Sequence, residues 1–355
     1  MTPSEGISVR PQAVAEFDDW PSGIAVSRSG RTFVSFPRLD PQRAPATLVE
    51  LIGGRAVPFP DDLVNAIDGS DPRHRFVSVH GITIGPGNRL LALDTGAHST
   101  AGGDPTAAKL WVIDLDTNAI AHGIGFGHDV CLPTSYFNDV VIDYNRGVAG
   151  TAFISDSGTL GPNGIVVVDL DSGASRRRLN GHASVRVSVP AGFGIATEAG
   201  IVAAPPTVDG LAISPDDGTL WWTPLGAYDF FSIDTDILAD GTLEDDVVER
   251  HVVAHDRRDF ASDGLTCDRQ GRVYFTDITN GIVQRYLTAE RRYEKLLGGE
   301  RSFHWPDAVW IAQDRQTFVS DSQLDLAPAY NGGVDARERP FRVYRAAIDA
   351  DPAQY

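Results

Sequence analysis

Six polar residues, each at the start of a similar segment, are the candidates for chemistry in this 355-residue chain. They are Ser22, His80, Asn138, Asp209, Asp263 and Asp307. Carboxylate and amide oxygens are the ligands that hard divalent cations prefer, so Asn138, Asp209 and Asp263 form a candidate metal site. Asp307 is the next choice as a ligand. The oxygen-rich set favours calcium or magnesium and leaves zinc or manganese open, and no organic cofactor is expected.

His80 is the member of this set whose unperturbed pKa lies near neutrality, which makes it the candidate for proton transfer. A histidine hydrogen-bonded into the wall of the site is the alternative. Ser22, His80 and Asp307 would also suit a nucleophilic triad. We disfavour that reading because no strained G-x-S-x-G turn accompanies Ser22.

The elements that must position these residues follow one local pattern. Each residue precedes an apolar alternating strand, a turn rich in Gly, Asp and Asn, and a second apolar strand, as in GLAISPDDGTLWWTPLG after Asp209. This pattern is typical of a β-hairpin. The six starts lie 44 to 71 residues apart, which leaves room for four short strands in each unit. The runs KLWVIDL from Lys109 and GIVVVDL from Gly164 supply third strands.

Four antiparallel strands repeated radially make a propeller blade. The sequence therefore predicts an all-β, six-bladed β-propeller with four-stranded antiparallel blades, as a single domain over residues 1–355. A β-sandwich is the alternative, and the six-fold recurrence of one pattern disfavours it. We expect VRPQAVAEF near the start to pair with FRVYRAAI near the end and so to close the ring.

A second set of residues leaves the second strand of each hairpin, and hairpin topology places it beside the first set. These residues are Phe36, Asp94, Asp156, Thr223, Asp277 and Asp321. The two sets, which we call the inner and second rings, would gather around the axis at one mouth of the propeller. Buried unpaired carboxylates are costly, so a cation, raised pKa values or backbone N–H donors must compensate. For the second ring, ordinary turn chemistry is the favoured alternative.

Aromatic residues near the rings could form an apolar wall around a polar centre, as in a small-molecule pocket, or could belong to the core. We expect a small-molecule substrate, and the residues expected to contact it are Ser22, Phe36, Asp94, Tyr136, Asp156, Trp305 and Asp307. Three long segments, starting at Thr95, Asn180 and Gln323, are expected either as lids over the mouth or as packing insertions.

The composition limits the partners. A formal net charge of −18 argues against a nucleic-acid partner. The absence of an apolar run of about 18 residues argues against a membrane span. The N-terminal sequence does not resemble a signal peptide, and two cysteines, Cys131 and Cys267, suit a reducing compartment. We therefore expect a cytoplasmic protein, and the sequence does not give its oligomeric state.

In order and spacing, successive runs of the chain resemble the yellow and major royal jelly protein family. The runs are RLLALDTG, KLWVIDLDTNAI, FNDVVIDYN and VDGLAISPDDGTLWWTPLGAYDFFSIDTDIL, within about residues 75 to 325. The resemblance implies a six-bladed propeller. Insect members include dopachrome-converting enzymes and ligand-binding proteins, and bacterial members are related to dopachrome tautomerases. The chain lacks the secretion signal and the cysteine pattern of the insect members.

A more distant resemblance to the senescence-marker and gluconolactonase propellers implies a metal held where the inner strands begin. Their Asn and Asp ligand positions in the third, fourth and fifth blades fall on Asn138, Asp209 and Asp263. Their acidic ligand in the first blade falls on Ser22, and Asp307 is an additional acid at the mouth.

We expect an enzyme that acts at the propeller mouth as a tautomerase or isomerase of a cyclic aromatic or quinonoid substrate. His80 would transfer the proton, and Asp209 and Asp263 would fix a cation or a polar substrate group. Asn138 would donate a hydrogen bond to developing negative charge. Two alternatives stay open: a divalent-metal-dependent lactonase or esterase, and a non-catalytic propeller that binds a small amine.

Overall fold

Six four-stranded antiparallel sheets surround a common axis in the computed structural model, which describes residues 9–39, 44–69, 71–298 and 301–353. The innermost strand of each sheet contacts the innermost strands of the two neighbouring sheets, and the sixth contacts the first. The inner strands therefore form a closed ring, which confirms the predicted six-bladed β-propeller.

The strands of the first three blades follow one another along the chain. β1 (Gln12–Phe17) precedes blade 1, which contains β2 (Ile24–Val26), β3 (Thr32–Ser35), β4 (Leu48–Ile52) and β5 (Arg55–Pro58). Blade 2 contains β6 (Val79–Gly85), β7 (Arg89–Asp94), β8 (Lys109–Asp114) and β9 (Ala119–Gly125). Blade 3 contains β10 (Phe137–Asp143), β11 (Thr151–Asp156), β12 (Gly164–Asp169) and β13 (Ser175–Arg178).

A separate two-stranded hairpin lies between blades 3 and 4 in the chain. It consists of β14 (Ile195–Thr197) and β15 (Gly200–Val202). Blade 4 contains β16 (Val208–Ile213), β17 (Thr219–Pro224), β18 (Phe231–Asp234) and β19 (Val253–Ala254). Blade 5 contains β20 (Ser262–Cys267), β21 (Val273–Asp277), β22 (Ile282–Leu287) and β23 (Arg292–Leu297). Blade 6 contains β24 (Pro306–Ile311), β25 (Gln316–Asp321), β26 (Phe341–Ala347) and β1.

Short helices occur in the connections between strands. They are α1 (Asp62–Asn65), α2 (Thr235–Ala239) and α3 (Asp245–Glu249), with 3-10 turns at Pro72–His74 and Leu324–Leu326. None of the helices in the described ranges has the length and hydropathy needed to cross a membrane.

The chain termini close the ring as predicted. β1 pairs antiparallel with β26 and becomes the outer strand of blade 6, with Phe17 opposite Phe341 and Gln12 opposite Arg345. Blade 6 thus combines both ends of the chain. Separating the first and last blades would break this pairing.

The hydrophobic core is divided among the six interfaces between adjacent blades. Between blades 2 and 3, for example, Leu110 and Val112 of one blade pack with Phe137 and Ile154 of the next. Equivalent clusters fill the other interfaces, including the one between blades 6 and 1, where Phe17 packs beside Phe36. The middle strands of a blade, such as β8 and β12, face a neighbouring blade on both sides and are buried on both faces, whereas outer strands such as β5 and β9 are largely exposed.

Candidate functional site

The inner-ring residues converge as the sequence predicts. Ser22, His80, Asn138, Asp209, Asp263 and Asp307 all line an axial channel at the centre of the propeller. All except Ser22 also line a cavity of about 310 Å³ above the channel, which we call the mouth cavity. Stretches of chain from all six blades therefore contribute side chains to one site.

The close approach of the inner strands to one another brings these side chains together. Most inner strands have a bulge at the ring residue, which turns its side chain out of the regular alternation and toward the axis. At Gly210 and Gly264, the residues after the ring positions of blades 4 and 5, the neighbouring strand leaves no room for a side chain. A Cβ on Gly210 would lie 2.2 Å from the carbonyl oxygen of Asp263, and one on Gly264 would lie 2.4 Å from that of Asp307.

Side-chain hydroxyls fasten neighbouring blades at this ring. Thr276 Oγ1 accepts a hydrogen bond from Gly264 N (2.8 Å) and donates one to Asp307 O (3.2 Å). Ser320 Oγ accepts from Ala308 N (3.0 Å) and donates to Ser22 O (2.5 Å). Ser35 links blades 1 and 2 in the same way.

These hydroxyl contacts were not predicted. The sequence feature that could have indicated them is a Ser or Thr immediately before the second-ring residue. It occurs in four of the six repeats, at Ser35, Ser155, Thr276 and Ser320.

Each aspartate of the inner ring has one oxygen held by a neutral donor. Asn138 Nδ2 donates to Asp209 Oδ1 (2.6 Å), and Trp305 Nε1 donates to Asp263 Oδ2 (2.5 Å). Ser22 Oγ donates to Asp307 Oδ1 (2.8 Å). No Arg, Lys or His of the described residues forms an ion pair with these carboxylates. The negative charge of the site therefore has no cationic partner within the described protein.

A fourth carboxylate, not singled out from the sequence, belongs to the same cluster. Asp139 occupies the position that glycine holds in four other blades, and it accepts hydrogen bonds from Val140 N and Leu211 N, both at 2.8 Å. Its side chain reaches across to blade 4 and joins the two inner strands. Burial raises the pKa of Asp139 to about 6.

Burial and mutual repulsion favour the protonated forms of the inner-ring carboxyls. Burial, followed by the charge of Asp307, raises the pKa values of Asp209 and Asp263 well above the ordinary range. Burial raises the pKa of Asp307 to about 7, against smaller opposing effects of hydrogen bonds from Ser22 and Ser322. The cluster therefore requires protons, a metal ion or a cationic ligand.

A metal ion would not be held by three carboxylates together. Among the described residues, no three His, Cys, Asp or Glu side chains come together in a geometry that would hold a metal. The set predicted first, Asn138 with Asp209 and Asp263, contains an amide and two carboxylates, so this result does not test it. Asp307, the next choice, accepts a hydrogen bond from Ser22 at Oδ1, and its role as a ligand stays a prediction.

His80 is paired with a tyrosine. Its Nδ1 lies 2.8 Å from Tyr136 Oη, and the two rings meet edge to face. Burial lowers the pKa of His80 to about 3, so the imidazole is neutral at physiological pH. In the tautomer in which the Tyr136 hydroxyl donates to Nδ1, the ring proton resides on Nε2. Ser22, His80 and Asp307 do not form a triad, since Ser22 bonds directly to Asp307.

The walls of the mouth cavity are apolar and aromatic. Trp20, Tyr136 and Tyr330 line it together with leucines and prolines. All three long segments noted in the sequence contribute to it, through Thr100, Pro205 and the stretch from Leu324 to Arg337. The segments therefore form walls of the cavity.

Five of the seven residues predicted to contact substrate lie outside the lining of the mouth cavity: Ser22, which lines the axial channel, Trp305, and Phe36, Asp94 and Asp156. Phe36 is buried against Phe17. Asp94 is fully buried and accepts hydrogen bonds from Val77 N and Ser78 N, both at 2.8 Å. Asp156 accepts from Tyr136 N (2.8 Å), as described for the turn-chemistry alternative. Since Phe36 belongs to the apolar core and the carboxylates of Asp94 and Asp156 are used within the blades, we leave Phe36, Asp94 and Asp156 out of the proposed site.

Trp305 supports the site without lining the mouth cavity. It is fully buried, and its indole N–H orients Asp263. It also stacks on Tyr330, with ring centroids 5.8 Å apart. Trp305 thus links the axial carboxylate to the loop that covers it.

Residues 77–354 match the sequence model of the major royal jelly protein family. Comparison with curated protein sequences gave no match. Among solved structures, the chain is similar to a gluconolactonase from Xanthomonas campestris, with 14% identity and a TM-score of 0.55, over 96% of this chain and 89% of that one. It is also similar to regucalcin, a calcium-binding protein from Agrobacterium tumefaciens, with 14% identity and a TM-score of 0.55, over 97% and 96% of the two chains.

A third similar structure is a catalytically inactive variant of virginiamycin B lyase from Staphylococcus aureus with quinupristin. Its identity is 11% and its TM-score 0.53, over 96% of this chain and 99% of that one. At these identities the similarity shows a shared fold.

Proposed function

Because the chain belongs to the major royal jelly protein family, we propose that its propeller mouth is the active site of a small-molecule enzyme. The proposed reaction is hydrolysis of a lactone or ester with the help of one divalent cation. One observation carries the proposal: the axial carboxylates are buried, and no cationic side chain of the described residues pairs with them. The gluconolactonase and the calcium-binding regucalcin among the similar structures favour the same chemistry.

The donor set fits a hard cation. Internal hydrogen bonds occupy Asp209 Oδ1 and Asp263 Oδ2, so each carboxylate keeps one oxygen that makes no hydrogen bond to a described residue. The amide of Asn138 uses its nitrogen for Asp209 and keeps its oxygen. A cation held by these three residues would polarise the substrate carbonyl. Calcium or magnesium suits the all-oxygen ligands.

The other residues of the mouth have roles that do not depend on the cation. With its proton on Nε2, His80 can donate a hydrogen bond to the oxygen that becomes negative when water adds to the carbonyl. The hydrogen bond from Tyr136 to Nδ1 fixes the orientation of the His80 ring. Asp307, held at Oδ1 by Ser22, can accept the proton of the attacking water at Oδ2. This assignment makes His80 a donor and Asp307 the base, whereas the sequence suggested His80 for proton transfer.

Metal analysis and a chelator test the proposal. The mildly purified protein should contain about one divalent cation per chain, and EDTA should abolish lactone hydrolysis until the cation is restored. Asp263→Asn should weaken cation binding at least tenfold in calorimetry. Asp314→Asn, at an exposed turn of blade 6, is the matched control and should bind normally. A metal-free protein that hydrolyses lactones in EDTA would overturn the proposal.

Isomerisation of a cyclic aromatic or quinonoid substrate is the second candidate. The hydrogen-bonded His80 and Tyr136 favour it, because they line the same cavity as Asp307 and the aromatic wall of that cavity suits a flat ring. This reaction would persist in EDTA, which separates it from the first candidate. His80→Ala should then lower the rate of isomerisation, followed by absorbance, about 100-fold or more with an unchanged melting temperature. An equal rate in this variant would exclude His80 from the reaction.

A further inference from the structure

The cavity wall carries one feature that the proposed reaction does not use. Of the described residues that line the mouth cavity, Arg337 alone is a Lys or Arg. It belongs to the loop that runs from the 3-10 turn at Leu324–Leu326 to β26, and this loop also supplies Tyr330 to the wall. The cavity is therefore polarised, with carboxylates at the axial floor and a guanidinium at the rim.

The structure holds the Arg337 side chain in place. Its Nε and Nη2 donate to the two oxygens of Asp335 at 2.8 and 2.9 Å, and the guanidinium lies 5.8 Å from the centre of the Phe341 ring. The side chain is only 10% exposed. A guanidinium fixed on one edge in this way loses little conformational entropy when a ligand binds its other edge.

The remaining edge is available to a ligand. Nη1 of Arg337 makes no hydrogen bond to a described residue, and it is not among the buried nitrogen atoms that lack a partner. The carboxylate of Asp335 offsets most of the positive charge of Arg337, so the attraction between Arg337 and a distant anionic ligand is weak. Recognition would then depend on direct, charge-assisted N–H···O bonds, which a carboxylate accepts.

We propose that Arg337 selects substrates that carry a carboxylate, so that the substrate class is a small ring bearing the reactive lactone or ester at one end and a carboxylate at the other. The second part of this statement rests on the proposed hydrolysis, whereas recognition by Arg337 does not. The reactive group would face the axial floor, and the ring would lie against the aromatic wall. In the metal-free protein, ionised carboxylates at the floor repel the carboxylate of a ligand, so the opposite orientation is disfavoured there.

Binding is measured first with ligands that cannot be hydrolysed. Calorimetry in EDTA compares benzoate with benzamide, its neutral counterpart, so that a cation at the floor cannot account for a difference. The wild-type protein should bind benzoate about tenfold to a hundredfold more tightly. Arg337→Gln should remove this preference, and Arg337→Lys should retain part of it.

Arg339→Gln is the matched control, because Arg339 lies on the same loop and its Nε donates outward to Asp18 O. This variant should keep the preference for benzoate. Melting temperatures of both variants show whether the loop stays folded. Equal binding of benzoate and benzamide by the wild-type protein, or an unchanged preference in Arg337→Gln, would overturn the assignment of Arg337.

Hydrolysis is tested separately with phthalide-5-carboxylate and phthalide-5-carboxamide, which carry the lactone and the second group at opposite ends, in the presence of calcium. The acid should be hydrolysed with a kcat/KM at least tenfold above that of the amide, and Arg337→Gln should remove the difference mainly through KM. If benzoate is preferred but neither phthalide is hydrolysed, the recognition by Arg337 stands and the proposed hydrolase function fails.

Discussion

Replacing Asp307 by Asn should stabilise the metal-free protein, and increasingly so as the pH rises. Asp307 is buried at the axis, where its pKa is about 7 instead of the ordinary 3.8. A carboxyl group whose pKa is raised by folding stabilises the folded state only while it is protonated. Its contribution is complete below pH 3.8 and is lost progressively as the pH rises through about 7. Asn keeps the shape and the acceptor for Ser22 but cannot ionise.

The magnitude follows from the difference between the two pKa values. With about 1.4 kcal/mol for each pH unit in this window, the wild-type protein should lose about 2.5 kcal/mol relative to Asp307→Asn between pH 5 and pH 8. Coupling to Asp209 and Asp263 makes this an upper value, since the three carboxyls can redistribute protons among themselves.

Urea denaturation at pH 5, 6, 7 and 8 in EDTA measures the effect through tryptophan fluorescence. The difference in the free energy of unfolding between variant and wild type should grow with pH, and the exposed control Asp314→Asn should show no such growth. Added calcium should reduce the pH dependence of the wild type, because a bound cation favours ionised carboxylates. A constant difference between Asp307→Asn and wild type from pH 5 to pH 8 would refute the reasoning.

Two further predictions concern the framework of the site. Gly210→Ala should lower the free energy of unfolding, measured by urea titration, by about 1–3 kcal/mol or more, because its Cβ would lie 2.2 Å from Asp263 O. The reverse change at the equivalent position, Ala308→Gly, should cost about 1 kcal/mol or less. Equal costs would contradict the steric explanation. Asp156→Asn should cost about 3–5 kcal/mol in the same assay, since it leaves the buried guanidinium of Arg177 (Nη1–Oδ2 2.7 Å) without its counter-charge; a change below 1 kcal/mol would show that this second-ring aspartate is not structural.

The architecture could be predicted because its signals are local and repeated. Alternation with a period of two defines the strands, and residues that tolerate a positive φ mark the hairpin turns, such as Asn88 (φ 55°) and Asp217 (φ 60°). Once hairpins are recognised, the position of a residue along its strand determines the end of the blade on which it lies. The inner ring and the pairing of β1 with β26 both follow from this reasoning.

The interactions within the site could not be predicted in the same way. Whether an aspartate at a strand end faces the axis or the loop depends on the bulge and on the donors that surround it. Asp94 faces the N–H groups of the segment that enters its blade, whereas Asp263 faces the axis and meets Trp305, which is 42 residues away. Asp139 was overlooked because the repeat places glycine at its position. The tautomer of His80 depends on Tyr136, a contact that no spacing indicates.

The buried axial carboxyls that form the site also lower the stability of the folded protein. The axial carboxyls repel one another, and the nearest side-chain cation of the cavity, Arg337, lies on the rim loop and is paired with Asp335. The compensating stability must come from elsewhere, and the apolar clusters between blades supply it. Because each cluster joins two blades, loss of any one interface would separate the inner-ring residues of those two blades. Neutralising an axial acid should therefore make the metal-free protein more stable and less active, a combination that substitutions in the blade interfaces would not produce.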